Sequence, residues 1–166
     1  HHITQKPHTR GSKHTPRRSY VKGVPVGKIH QFETGNLKDI AKFPLTLHII
    51  TKQERQLRSN CLEAARVSAT KYLTKTVGET NFFLKVRTYP HHVLRENPLA
   101  TGAGADRFSQ GMRRSWGKPI GSAARVEAGQ KLFTLHTIAG KEADAKEAMR
   151  RASMKLSCAC RILVEK

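Results

Sequence analysis

Two acids, two adjacent histidines and a glycine-rich run are where this sequence has residue types suited to catalysis. Glu96 and Asp106 stand ten residues apart, a pair of the kind used for general acid–base work. Arg95 and Arg107 lie directly beside them, and a neighbouring guanidinium depresses a carboxyl pKa, which suits ion pairing better than proton transfer. His91 and His92 are metal ligands or bases by type. On an extended chain, however, adjacent side chains point to opposite faces, so the two rings do not converge on one ion. Gly102-Ala103-Gly104-Ala105-Asp106-Arg107 matches the first half of a dinucleotide fingerprint, but it lacks the third glycine and follows a proline-bounded stretch rather than a strand. There is no nucleophile elbow, Walker loop or His-Glu-x-x-His pair. Cys158 and Cys160 are one residue apart, outside the usual zinc spacing, and with Cys61 they make three. They read as structural thiols in a reducing, intracellular setting. No catalytic residue, metal or cofactor is expected.

Binding chemistry is far better supported. Between Lys85 and Arg125 the chain places eight basic residues (Lys85, Arg87, Arg95, Arg107, Arg113, Arg114, Lys118 and Arg125) against only Glu96 and Asp106. Tyr89, Phe108 and Trp116 lie among them and can stack on unpaired bases. Arginine predominates, and its planar guanidinium both forks onto phosphate and stacks. Glycines at 102, 104, 111, 117 and 121 let backbone N–H groups approach a sugar-phosphate chain closely. The whole chain has the same bias. In 166 residues, 31 Lys and Arg oppose 12 Asp and Glu, a formal charge of +19. A net charge of roughly 2–8 suffices for solubility in a small domain, so the excess calls for a polyanionic partner. The long irregular basic stretch, with no recognition helix, zinc finger or basic zipper, favours folded RNA over duplex DNA.

The elements that must hold these residues form one α+β domain. The pattern predicts strands over 45–50, 81–87, 123–127, 131–138 and 161–164, with β pairing able to continue through the polar stretch to Arg58. It predicts helices from Asn60 to Gly78 and over 141–157, both covering one face of a mixed, mostly antiparallel sheet. Asn60 and Glu63 have capping-box spacing, and Gly78 suits a left-handed stop. Cys61, Ala65, Ser68 and Tyr72 form one stripe of the first helix, with Leu62, Ala69 and Leu73 beside it. Residues 88–121 lack apolar periodicity and read as an inserted basic, glycine-rich loop. Residues 1–34 read as a basic extension ordered by its partner, with 35–166 as the single domain. The hydrophobic share of 37% affords a core but no apolar run long enough to cross a membrane. No signal peptide is expected, and the missing initial Met points to a start that is processed or not represented in this sequence.

Leu94-Arg95-Glu96-Asn97 and the block from Gly102 to Pro119, with Ala123-Ala124-Arg125-Val126 and Gly129-Gln130, resemble the universal large-subunit ribosomal protein sixteen family. The likeness is to its archaeal and eukaryotic (ten-e) branch, in the archaeal form. It extends to Gly23-Val24-Pro25, Leu62-Glu63-Ala64-Ala65-Arg66 and Arg150-Arg151-Ala152, and so covers nearly the whole chain. The resemblance implies a hammerhead-type α/β sandwich docked on large-subunit rRNA near the aminoacyl-tRNA site, in the cytoplasm, beside neighbouring ribosomal proteins and without homo-oligomers. It implies a loop tip of Ala103, Gly104, Ala105, Asp106, Arg107, Phe108, Ser109, Gln110, Gly111 and Met112 reaching toward the peptidyl-transferase centre and tRNA acceptor arms. Arg95, Arg107, Arg113, Arg114 and Lys118 would contact RNA backbone, Arg114 standing where small or apolar residues are more usual. Arg10, Lys13, Arg17, Arg18, Lys22 and Lys28 would thread into rRNA. Arg87, His91, His92, Gln110, Trp116 and Arg125 complete the expected RNA-binding set. The rival functions are an RNA-acting enzyme, such as a tRNA-modifying hydrolase, and a free RNA chaperone. The first would show chemical turnover; the second would sediment away from subunits at moderate salt.

Overall fold

Leu45, Leu47 and Ile49 alternate with Thr46 and His48, and that period of two makes a strand with a wholly apolar inner face. The computed structural model describes residues 21–97, 111–113 and 115–165, and this strand lies near the middle of its larger sheet. In chain order the elements are β1 (Glu33–Gly35), β2 (Leu45–Thr51), β3 (Arg55–Arg58), α1 (Ser59–Thr76), β4 (Phe82–Val86), β5 (His92–Glu96), β6 (Lys118–Val126), β7 (Lys131–Thr137), α2 (Glu142–Ser153) and β8 (Cys160–Glu165). This is the expected α+β fold, but its strands form two sheets. One has the order β1-β4-β7-β2-β8 and the other β3-β6-β5. Every pairing among the described residues is antiparallel.

A single core joins the layers. Leu47 and Ile49 of β2, Leu84 of β4 and Leu135 of β7 are fully buried with Leu62, Ala65, Ala69 and Leu73 of α1 and Ala145, Ala148, Met149 and Ala152 of α2. The two helices pack on each other as well as on strands of the larger sheet. Each fully buried leucine contributes roughly 1.5–3 kcal/mol. Leu57, Ala124 and Val126 bring the smaller sheet into the same cluster.

Several boundaries differ from the sequence reading. Chain 52–54 turns, so Arg55–Arg58 does not prolong β2 but starts the second sheet. β3 runs straight into α1, with Arg58 extended (φ −69°, ψ 146°) at the cap. Asn60 therefore sits inside the first turn and makes no cap, while Glu63 bonds Arg66 instead. The buried arc is Leu62, Ala65, Arg66, Ala69 and Leu73, with Cys61, Ser68 and Tyr72 only half-buried. The arc rotates because a paired Arg66 can lie inside. Gly78 does take a positive φ of 92°, but its ψ of 147° is extended rather than helical. The second helix stops at Ser153, yet Leu156 beyond it remains buried. β1 crosses the expected 34/35 boundary by pairing Glu33 with Lys85. The largest change lies within 88–121, whose ends are strand: β5 pairs with β6 from His92↔Ala123 to Glu96↔Lys118. His92, Val93 and Leu94 are buried in succession, so β5 shows no alternation in the sequence. A register shift after Leu94 accommodates Pro119, which has no N–H for the ladder.

Candidate nucleic-acid interface

The ladder of β5 and β6 makes a stem whose last register pair, Glu96 and Lys118, frames the segment between them. Gly117 closes the base of that segment. Its φ is +73°, and a Cβ there would lie 2.5 Å from the carbonyl of Glu96 and 2.7 Å from the Asn97 nitrogen. Only glycine lets the two strands approach so closely. Arg95 spans the same base. Its guanidinium carbon lies 3.1 Å from the centroid of the Trp116 ring, and Nη1 donates to the Trp116 carbonyl. One expected phosphate ligand thus grips one expected stacking ring, leaving Trp116 58% exposed.

Below the stem, aromatic rings lie face to face. Phe32 and Tyr89 stack with centroids 5.1 Å apart, and His91 tilts against Tyr89 at 4.4 Å. Phe32 was missed in the sequence because nothing local ties residue 32 to residue 89. Its carbonyl accepts from the Val86 N–H, which fixes the incoming chain against β4. His92 is a correction to the expected surface site. Its side chain is buried at 2% exposure, with Nε2 3.4 Å from Arg125 Nη2, so it supports β6 from inside the protein. Arg125 is half-buried beside it. Adjacent His91 is exposed, as alternation along an extended chain requires.

The remaining cations divide sharply by partner. Lys85 bonds Glu33 at 2.6 Å. Arg66 forks onto Glu63 (Nη2–Oε1 2.6 Å, Nε–Oε2 3.0 Å) and reaches Thr34 Oγ1 at 3.4 Å, tying α1 to β1. Hydrogen bonds from Arg66 hold the Glu63 carboxyl below its usual pKa. The three-residue spacing on a helix fits such a pair, a signal that the capping-box reading of Glu63 passed over. Lys22, Lys28, Arg87, Arg113 and Lys118 are exposed and form no ion pair with any described residue. Gly111 has a positive φ and Met112 is 85% exposed at the described edge of the expected loop tip. Arg10, Lys13, Arg17, Arg18, Arg107, Gln110 and Arg114, with Ala103 to Gln110 of the tip, lie outside the described residues.

Fixed positive charge beside exposed rings and an exposed thioether can hold phosphates and stack bases. The fold and this stem define an α+β protein that presents a basic, ring-bearing stem on its surface. Comparison with known proteins gives its family. The family described as Ribosomal protein L16p/L10e matches residues 4–163. The chain is 51% identical over 150 residues to the large ribosomal subunit protein uL16 of Methanocella arvoryzae, covering 90% of this chain and 86% of that protein. It is 47% identical to the Archaeoglobus fulgidus protein of the same name over 90% of this chain and 85% of that one. Against the Halobacterium salinarum protein, again of that name, identity is 46%, with 90% and 86% covered. The chain belongs to the Ribosomal protein L16p/L10e family, in its archaeal form, as the sequence resemblance indicated. That family is a structural, non-enzymatic part of the ribosome, which removes the RNA-modifying enzyme as a reading.

Proposed function

We propose that this chain is a structural constituent of the cytoplasmic large ribosomal subunit that binds large-subunit rRNA near the aminoacyl-tRNA site. Its basic segment between β5 and β6 reaches toward the peptidyl-transferase centre and the tRNA acceptor arms. Arg87, Arg113 and Lys118 hold phosphate backbone, with Arg107 and Arg114 continuing the track. Arg10, Lys13, Arg17, Arg18, Lys22 and Lys28 hold the basic N-terminal stretch in rRNA, and neighbouring ribosomal proteins complete the surroundings. Arg95 acts by fixing Trp116 at the base of the segment. The observation that carries this reading is the group of exposed stem cations without a described carboxylate partner, in a chain of net charge +19. The names of the archaeal relatives support the choice of subunit.

Salt tests the RNA reading. Log affinity of the full chain for a large-subunit rRNA fragment should fall with log salt by about 0.7–0.9 per phosphate contact. A flat dependence overturns it. The tRNA reading is separable, because Met112 is exposed at the edge of the segment. A photo-crosslinker at position 112, in reconstituted subunits with tRNA in the aminoacyl site, should capture the acceptor arm. Crosslinks to rRNA alone would remove tRNA from the proposal.

A further inference from the structure

Cys158 and Cys160 lie where α2 hands over to the edge strand β8, and the RNA reading gives them no role. The bend ending at Cys158, two residues before β8 begins at Cys160, brings these two sulfurs together. The Sγ atoms are 3.4 Å apart and unbonded, and both side chains are half-buried. The local chain is well anchored. The Ala159 carbonyl between the two cysteines accepts from the Lys52 N–H at 2.8 Å, and Cys160 pairs with Thr51 in the ladder. We propose that Cys158 and Cys160 are a redox modification site, a dithiol that closes to a disulfide by exchange with a low-molecular-weight disulfide. A bonded pair needs a separation of about 2.05 Å, so the sulfurs must approach by about 1.4 Å, a shift within reach of side-chain torsions in the bend at Ser157–Cys158.

The surroundings assign the roles. The Cys160 thiol beside it, then the Thr51 hydroxyl of β2 and the Arg55 cation of β3, lower the Cys158 pKa to about 7. Cys160 is pushed up, because its proton is held by Cys158. The Cys158 thiolate therefore attacks one sulfur of the small disulfide, forming a mixed disulfide and expelling one thiolate. That thiolate takes the proton Cys160 surrenders, and Cys160 Sγ then displaces the second thiolate. Two protein sulfurs are oxidised to one disulfide, and the reagent is reduced to two thiol equivalents. The closed ring is neutral, so Arg55 loses the anion that faced it.

Oxidised glutathione at pH 7 on the full chain tests this. Trypsin separates the sites, since Cys158 and Cys160 share the fragment 156–161 while Cys61 falls in 59–66. After an acid quench, fragment 156–161 should be two hydrogens lighter with no adduct, and Cys61 should stay alkylatable. Cys160→Ser should retain one glutathione at Cys158. Cys158→Ser should react about five- to tenfold more slowly, because greater thiolate nucleophilicity at higher pKa offsets only part of the lost thiolate fraction. The wild-type rate should rise with pH through about 7. Reaction at 156–161 no faster than at Cys61, or two glutathiones taken up without ring closure, overturns the proposal. The readout involves no RNA, so it stands or falls apart from the ribosomal reading.

Discussion

Arg150 and Arg151 on α2, and Arg113 ahead of β6 and Lys118 at its start, are all exposed cations, yet their surroundings are opposite. On α2, Glu147 accepts from Arg150 at 2.7 Å and from Arg151 at 2.8 Å, Glu142 bonds Lys146 at 2.8 Å, and Asp144 lies 3.4 Å from Lys141. Arg151 also covers the Tyr72 ring at 4.2 Å. The helix neutralises most of its own charge within one or two turns. Lys118 faces Glu96 in register but forms no ion pair with it, and Arg113 and Arg87 have no described carboxylate partner. Positive charge that folding has already compensated stabilises little more than local geometry. Charge left bare on a stem is available to a polyanion, and releases counterions when it binds one.

The contrast breaks most visibly under paired triple substitutions. Arg87→Ala, Arg113→Ala and Lys118→Ala together should weaken binding to rRNA by on the order of a hundred- to a thousandfold and flatten the salt slope by about 2–3 units. Lys146→Ala, Arg150→Ala and Arg151→Ala remove the same charge from α2 and should leave affinity within about twofold. Equal losses in a filter-binding series would show that only net charge matters. The part-buried pair comes next: Arg66→Ala strands Glu63 and should cost roughly 1–3 kcal/mol in urea unfolding. No loss there would mean that α1 and β1 are held by packing alone.

Gly117→Ala sharpens the stem itself. The forced positive φ and the clash with Glu96 should cost roughly 1–3 kcal/mol, locally at the base of the segment. Trp116 is the only tryptophan, so its fluorescence reports the loss of the Arg95 contact directly. An unchanged spectrum would separate the glycine from that clasp. The smallest effect belongs to Glu147, whose pKa falls from the usual 4.5 to about 2 through hydrogen bonds from Arg150 and then Arg151. Stabilisation from this depressed carboxyl is complete above about 4.5 and is lost as pH falls toward 2. Glu147→Gln should therefore lose that pH dependence with no change in RNA affinity, read by thermal melts across the acid range.

The α+β class, both helices, the inner strands and the excess charge follow from the chain by itself, because burial periodicity and composition are local properties. Leu45–Leu47–Ile49 and Ala145–Ala148–Met149–Ala152 carry their faces in their spacing. The basic segment between Lys85 and Arg125 was likewise legible, since charge and aromatic content need no fold to be seen. Which of those residues meet was decided only in three dimensions. Two sheets stand where one was expected, because Arg55–Arg58 pairs with Ala123–Val126, about seventy residues away. A second pairing, of β5 with β6, makes strands of the ends of the basic loop, turns His92 inward and lays Arg95 on Trp116. Contacts between distant segments are set by the free energy of the whole packed arrangement, and no window of neighbouring residues contains them.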